Sequence, residues 1–105
     1  MAKDLDMTVL FDIYEPLLTE KQRDTLDLYY NEDLSLREIA DPEGTTRQAV
    51  MNRIIKSEKR LLELEEMLGV YKRSKTAGVL LDRLAELTDG SDEAASLIKQ
   101  IKELL

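Results

Sequence analysis

The chain has 105 residues, 43% of them apolar, and a net charge of −7, with neither cysteine nor histidine. That length fits one or two small domains, while the composition excludes a disulfide framework, a histidine-assisted nucleophile and the usual ligand set of a structural zinc site. No apolar run approaches the roughly 20 residues of a membrane span, and MAKDLDMT lacks the basic and apolar segments of a signal peptide, so a cytoplasmic protein is expected.

Two prolines, four glycines and an abundance of Leu, Glu and Lys point to an all-α chain. The first helix is predicted over Asp4 to Tyr14, with Leu5, Val9, Leu10, Ile13 and Leu17 as its apolar stripe. Glu15-Pro16 should end it, because the residue before proline avoids the α region. Thr19 then starts a second helix, with Gln22 closing a capping box. That helix should reach about Tyr30 and bury Leu26, Tyr29 and Tyr30. Asn31-Glu32-Asp33 reads as a polar turn.

The segment Leu34 to Ile55 reads as helix, tight turn and helix. Ser35 and Glu38 form a second capping box, with Ile39 and Ala40 facing inward. Gly44 supplies the turn, where positive φ costs little only for glycine. Thr45 and Thr46 can cap the next helix, which opens with Arg47 and Gln48. A helix-turn-helix presents such side chains to base edges from the N-terminal end of its second helix.

The helix from Arg47 meets no breaker until Gly69. Val50, Ile54, Leu61, Leu64 and Leu68 recur at steps of three and four, interrupted only by Ser57, close to a heptad seam. Val50 and Ile54 should pack on the chain's own helices. For Leu61, Leu64 and Leu68 the pattern fits own-chain packing and a dimer contact equally. Val70 to Leu87 is a further amphipathic helix, carrying Val79, Leu80, Leu81, Leu84 and Leu87. Asp89-Gly90 is a turn, and Ser91 caps a last helix from Asp92 to Leu105. Its apolar side holds Ala94, Leu97, Ile98, Ile101, Leu104 and Leu105. The expected organisation is a helix-turn-helix domain over residues 1–69 and a helical hairpin over residues 70–105, packed on the first domain or exchanged between protomers.

The charge is unevenly spread. Residues 1–33 carry nine acids against Lys3, Lys21 and Arg23, whereas residues 45–60 carry five bases against Glu58. An acidic body with one basic helix can bind nucleic acid through that helix, with strong salt dependence. Arg47 on guanine and Gln48 on adenine are candidate base contacts. Arg53 and Lys56 are candidate phosphate contacts, and Lys59 and Arg60 extend them; a solvated helix face explains these four equally well. Lys72, Arg73 and Lys75, beside Tyr71, suit an RNA backbone, an acidic protein or simply a solvated helix start. No phosphate loop or nucleophile motif supports an enzyme, and no cofactor is implied.

Four blocks follow one another at close spacing: Leu18-Thr-Glu-Lys-Gln-Arg, Leu26-Asp-Leu-Tyr-Tyr, Leu34-Ser-Leu-Arg-Glu-Ile-Ala and Gly44-Thr-Thr-Arg-Gln-Ala-Val. This series resembles region 4 of bacterial sigma factors and, more closely, the YlxM family of small helix-turn-helix proteins. The resemblance covers roughly residues 5–72. It implies an all-α, sigma region 4-like helix-turn-helix without a wing, with a long recognition helix and a C-terminal helical extension. It also implies DNA-binding regulation and a part in the signal recognition particle pathway, whose genes often neighbour those of the family. An adaptor that contacts particle protein or RNA is the alternative, and a homodimer is expected in either case.

Carried onto this chain, the resemblance makes Leu36 to Asp41 the supporting helix, Pro42 to Thr45 the turn and Thr46 the start of the recognition helix. The contacts implied are Thr46, Arg47, Gln48, Met51 and Asn52. Two departures stand out: Glu43 and Thr45 occupy positions where the family usually has apolar residues. Pro42 is accordingly expected to end the supporting helix early, and the missing apolar plug to loosen the turn.

Overall fold

A computed structural model describes residues 5–105, with side chains from Met7 onward. Among these residues there are helices and no strand. The helices are α1 (Leu5–Tyr14), α2 (Glu20–Leu26), α3 (Leu36–Glu43), α4 (Arg47–Leu68), α5 (Val70–Leu87) and α6 (Asp92–Leu104). The chain divides into two compact units, one running up to Gly69 and the other spanning Val70–Leu105.

In the first unit α1, α2 and α3 all pack on α4. Local chemistry sets most of the boundaries. Thr19 accepts from the Gln22 amide, and the Gln22 side chain returns the bond to Thr19 N–H. Ser35 and Glu38 do the same at α3. Each box satisfies two donors that a helix start leaves open.

The buried face of α1 differs from the expected stripe. Met7, Leu10, Phe11 and Tyr14 point inward, followed by Leu18, whereas Val9 and Leu17 are exposed and Ile13 is half-buried. The side chain of Leu5 lies outside the described residues. Phe11 and Tyr14 carry the larger apolar area, so the face that buries them wins. A tight 3-10 turn over Glu15–Leu17 then brings Leu18 inward in place of Leu17.

Helix α2 continues as a wider π turn over Asp27–Asn31, in which the Glu32 N–H reaches the Asp27 carbonyl at 3.2 Å. The slower winding turns both Tyr29 and Tyr30 toward the core. Tyr29 is buried and Tyr30 half-buried; the Tyr30 ring meets Phe11 edge-on at 5.8 Å, and its hydroxyl donates to Glu58.

Pro42 does not end α3 early. The helix runs through it to Glu43, and Gly44 follows at φ 66°. Proline forfeits one backbone donor, but Gly44 N–H bonds to Asp41 O at 3.1 Å and Thr45 N–H to Ala40 O at 3.2 Å. These are the two bonds of a Schellman termination, and they close the helix on the far side of the proline.

The seam of α4 is filled from within the chain. Val50, Ile54, Ser57 and Leu61 are fully buried, and Leu64 is 3% exposed. Leu61 and Leu64 are therefore core residues of the first unit and not dimer contacts; only Leu68 of the three candidates reaches the surface. Gly69 ends α4 in the left-handed region at φ 63°.

The second unit is the hairpin of α5 and α6. Ser91 caps α6 by accepting from the Ala94 amide at 3.2 Å. Leu81 and Ile98 are the large side chains buried between the helices. Of the remaining apolar residues expected on these helices Ala94 is half-buried and the others, among them Leu80, Leu84, Leu97 and Ile101, stay exposed.

Candidate nucleic-acid interface

The second helix of the helix-turn-helix begins at a cap, and Thr46, expected as its first residue, lies outside it. Thr46 is extended (φ −98°, ψ 155°), and its hydroxyl accepts from the Ala49 amide at 3.0 Å. Thr46 thus starts α4 from outside it, and Arg47 is the first helical residue. No acidic residue occupies the first turn, so the positive end of the helix dipole is not neutralised there.

Gln48, Asn52, Ile55 and Lys59 follow at spacings of four, three and four. They share the line of α4 opposite its buried seam. All four are exposed, with Lys56 beside them. Gln48 donates from Nε2 to Asn52 Oδ1 at 3.0 Å, which holds two amide side chains together on the outward face. Arg47 and half-buried Met51 lie on the flank toward α3. With Leu36, Arg37 and Tyr29 they help line an open cavity of about 510 Å³.

Arg53 takes a different direction. Its Nη1 donates to Thr25 Oγ1 at 2.9 Å and to both Glu43 oxygens at 3.1 and 3.2 Å. The side chain is only 21% exposed. The expected phosphate contact is instead a strut between α4, α2 and the end of α3. Lys21 also reaches Glu43, at 3.0 Å. Glu43 thereby tightens the turn that the missing apolar residue was expected to loosen. Burial pushes the Glu43 carboxyl up, but hydrogen bonds and positive charge from Lys21 and Arg53 outweigh it and hold the group below its ordinary value. A charge at the plug position was visible in the sequence; its partners, 22 and ten residues away, were not.

Glu58, the acid among residues 45–60, accepts from the Tyr30 hydroxyl and is half-buried. Its carboxylate is thus engaged on the inner side while Lys56, Lys59 and Arg60 remain exposed. Arg60 lies 3.6 Å from Glu63, a surface pair that constrains it little. In the second unit Lys72, Arg73 and Lys75 are exposed along the first turns of α5, and Lys75 Nζ sits 5.7 Å from the Tyr71 ring centre. Among the described residues no group of His, Cys, Asp or Glu is arranged to hold a metal ion, and no helix is long and apolar enough to cross a membrane.

Residues 1–104 match the model of the UPF0122 family, described as "Putative helix-turn-helix protein, YlxM / p13 like". A UPF0122 protein of Bacillus licheniformis is 40% identical over 104 residues, covering 99% of this chain and 97% of the relative. One from Symbiobacterium thermophilum is 46% identical over 90 residues, covering 86% and 84%. One from Shouchella clausii is 45% identical over 107 residues, covering 99% and 98%.

Proposed function

The chain belongs to the UPF0122 family of YlxM/p13-like helix-turn-helix proteins, and from that premise we propose that it is a DNA-binding regulatory protein that reads a duplex with the first turns of α4. The observation that carries this reading is the outward face of α4. It starts at a capped, acid-free N-terminus, presents Gln48 and Asn52 with Arg47 on the adjoining flank, and continues into Lys56 and Lys59. The amide pair of Gln48 and Asn52 suits adenine, and Arg47 suits guanine. Lys56 and Lys59 supply phosphate contacts that position the helix without reading sequence. The protein acts as a homodimer in the signal recognition particle pathway, the setting that the family resemblance implies.

The test is a duplex selected from a random pool, titrated by fluorescence anisotropy across a salt series. Affinity should fall with salt with a log–log slope of about −2 per protomer, about −4 for the homodimer, from the phosphate contacts of Lys56 and Lys59. Arg47→Ala should cost about 1–3 kcal/mol on the preferred site and relax the preference there. A pool that yields no bound duplex even at low salt would overturn the reading.

A second reading is favoured by two apolar side chains on the same face. Ile55 and Leu62 are each 54% exposed, and phosphate contacts make no use of them. An adaptor that seats α4 against signal recognition particle protein or RNA would. Binding of purified particle that is lost in Ile55→Asp, with duplex binding absent, would favour the adaptor.

A further inference from the structure

The hairpin of α5 and α6 has two unlike faces. Asp82 and Lys102 meet at 2.6 Å on one of them, with Ala85, Ala95 and Lys99 close by. Asp82 in the second half of α5 meets Lys102 near the end of α6, while residues 88–91 join the two helices, so the helices are antiparallel. The other face is apolar. At 3.6 residues per turn, Leu80, Leu84 and Leu87 lie about 60–120° around α5 from the buried Leu81. Leu97, Ile101 and Leu104 lie at the same offsets, about 60–120° in the same sense, from the buried Ile98 on α6. In an antiparallel pair, equal offsets from the contact line put both rows on one side of the hairpin. All six residues are exposed, from 42% at Ile101 to 85% at Leu104.

Each row steps by four and then three residues, the spacing of a heptad seam. Helix α6 is about 20 Å long, and two helices side by side span about 20 Å. The apolar face therefore covers about 400 Å², within the range of the largest apolar patch on a typical monomer, which is often functional.

We propose that this face is the self-association surface of the protein, and that its occupant is the same face of a second copy, giving a four-helix bundle of two hairpins. Three observations select a second copy. The unit is shorter than the roughly 40 residues below which isolated domains usually need disulfides, metals or oligomerisation, and the chain has no cysteine or histidine to staple it, so covering this face against another surface would stabilise it. Charge permits it: residues 70–105 hold six acids and six bases, whereas residues 1–69 hold sixteen acids and nine bases. Two hairpins can therefore meet without net repulsion, and the acidic excess is carried elsewhere. The two rows match in length and spacing, so the face is complementary to itself across a two-fold axis.

The inference rests on the homodimer part of the proposed function and not on DNA binding. Its test is sedimentation equilibrium of the full chain over a concentration series, for the natural sequence and for Leu84→Glu/Ile101→Glu. The substituted positions are exposed, and circular dichroism checks that helicity is kept. Leu80→Ser/Leu97→Ser provides a milder second variant. The natural chain should dimerise, and the double glutamate should raise the dimer dissociation constant by about a hundredfold or more, since each carboxylate loses water without gaining a partner. The double serine should weaken it by a smaller factor. A dimer unchanged in both variants would overturn this surface while leaving the homodimer intact. A natural chain that stays monomeric into the millimolar range would overturn both.

Discussion

Arg53 and Glu43 meet at 3.1 Å, joining the turn of the helix-turn-helix to the inner flank of its second helix. The pair fixes the direction in which α4 leaves the turn, and Lys21 completes it from α2.

Removing the Glu43 charge should therefore cost stability in a pH-dependent way. Its carboxyl titrates below its ordinary value when folded, because Lys21 and Arg53 outweigh the effect of burial. A depressed folded value means that the stabilisation is complete above the unfolded value, about 4.3, and is lost as pH falls through the folded one. Glu43→Gln should be less stable than the natural chain by about 1 kcal/mol at neutral pH, a figure kept small by partial exposure. In urea titrations that difference should shrink below about pH 4. A difference that holds constant into acid would rule out the ion pairs as its source.

Arg53 and Lys56 should behave differently although both were candidate phosphate contacts. Lys56→Ala should reduce the magnitude of the salt slope of duplex binding by about 1 per protomer and leave folding unchanged. Arg53→Gln should leave the slope unchanged and lower the urea midpoint, because its guanidinium is engaged by Thr25 and Glu43. Equal slope changes in the two variants would place Arg53 on the phosphate backbone after all.

Adjacent leucines on α4 should separate cleanly. Leu61 is fully buried and Leu62 is 54% exposed. Leu61→Ala should destabilise by about 2–5 kcal/mol through the cavity it leaves, and Leu62→Ala by no more than about 0.5 kcal/mol. Similar losses, measured by denaturant unfolding, would contradict the intramolecular seam.

Two glycines should respond to alanine with opposite sign. A Cβ at Gly44 or at Gly78 meets nothing within 4 Å, so only the backbone decides. Gly44 sits at φ 66°, and Gly44→Ala should cost about 1 kcal/mol or more. Gly78 lies inside α5, where Gly78→Ala should stabilise by about 0.4–1 kcal/mol. Thermal melts of the two variants read both signs directly.

The parts of this fold that were legible in the sequence are those decided within a few residues. Thr19 with Gln22, Ser35 with Glu38, Ser91, and the left-handed glycines at residues 44 and 69 act locally, and their chemistry names the boundary. The face of α1 was not legible, since apolar residues surround that helix and the choice between Val9 and Phe11 is made by what packs on them. The π turn at Asp27–Asn31 has no local signature, because it is the depth of Tyr29 and Tyr30 in the core that it serves. At the interface, the outward positions of Gln48, Asn52 and Lys59 follow from the period of the seam. The inward course of Arg53 does not, because Thr25 and Glu43 become its neighbours only after α2 and α3 have folded onto α4.

Ser57 lies in the seam of α4 between Ile54 and Leu61, fully buried, its hydroxyl donating to the Arg53 carbonyl at 2.7 Å. It holds a place where a zipper would carry a leucine. Two copies of α4 brought face to face in parallel and in register would set serine near serine and leave a hollow at the middle of their contact. A void of that kind costs on the order of 1 kcal/mol or more. One small side chain thus acts as a gauge of volume: it leaves room for the helices of its own unit, which already fill the seam.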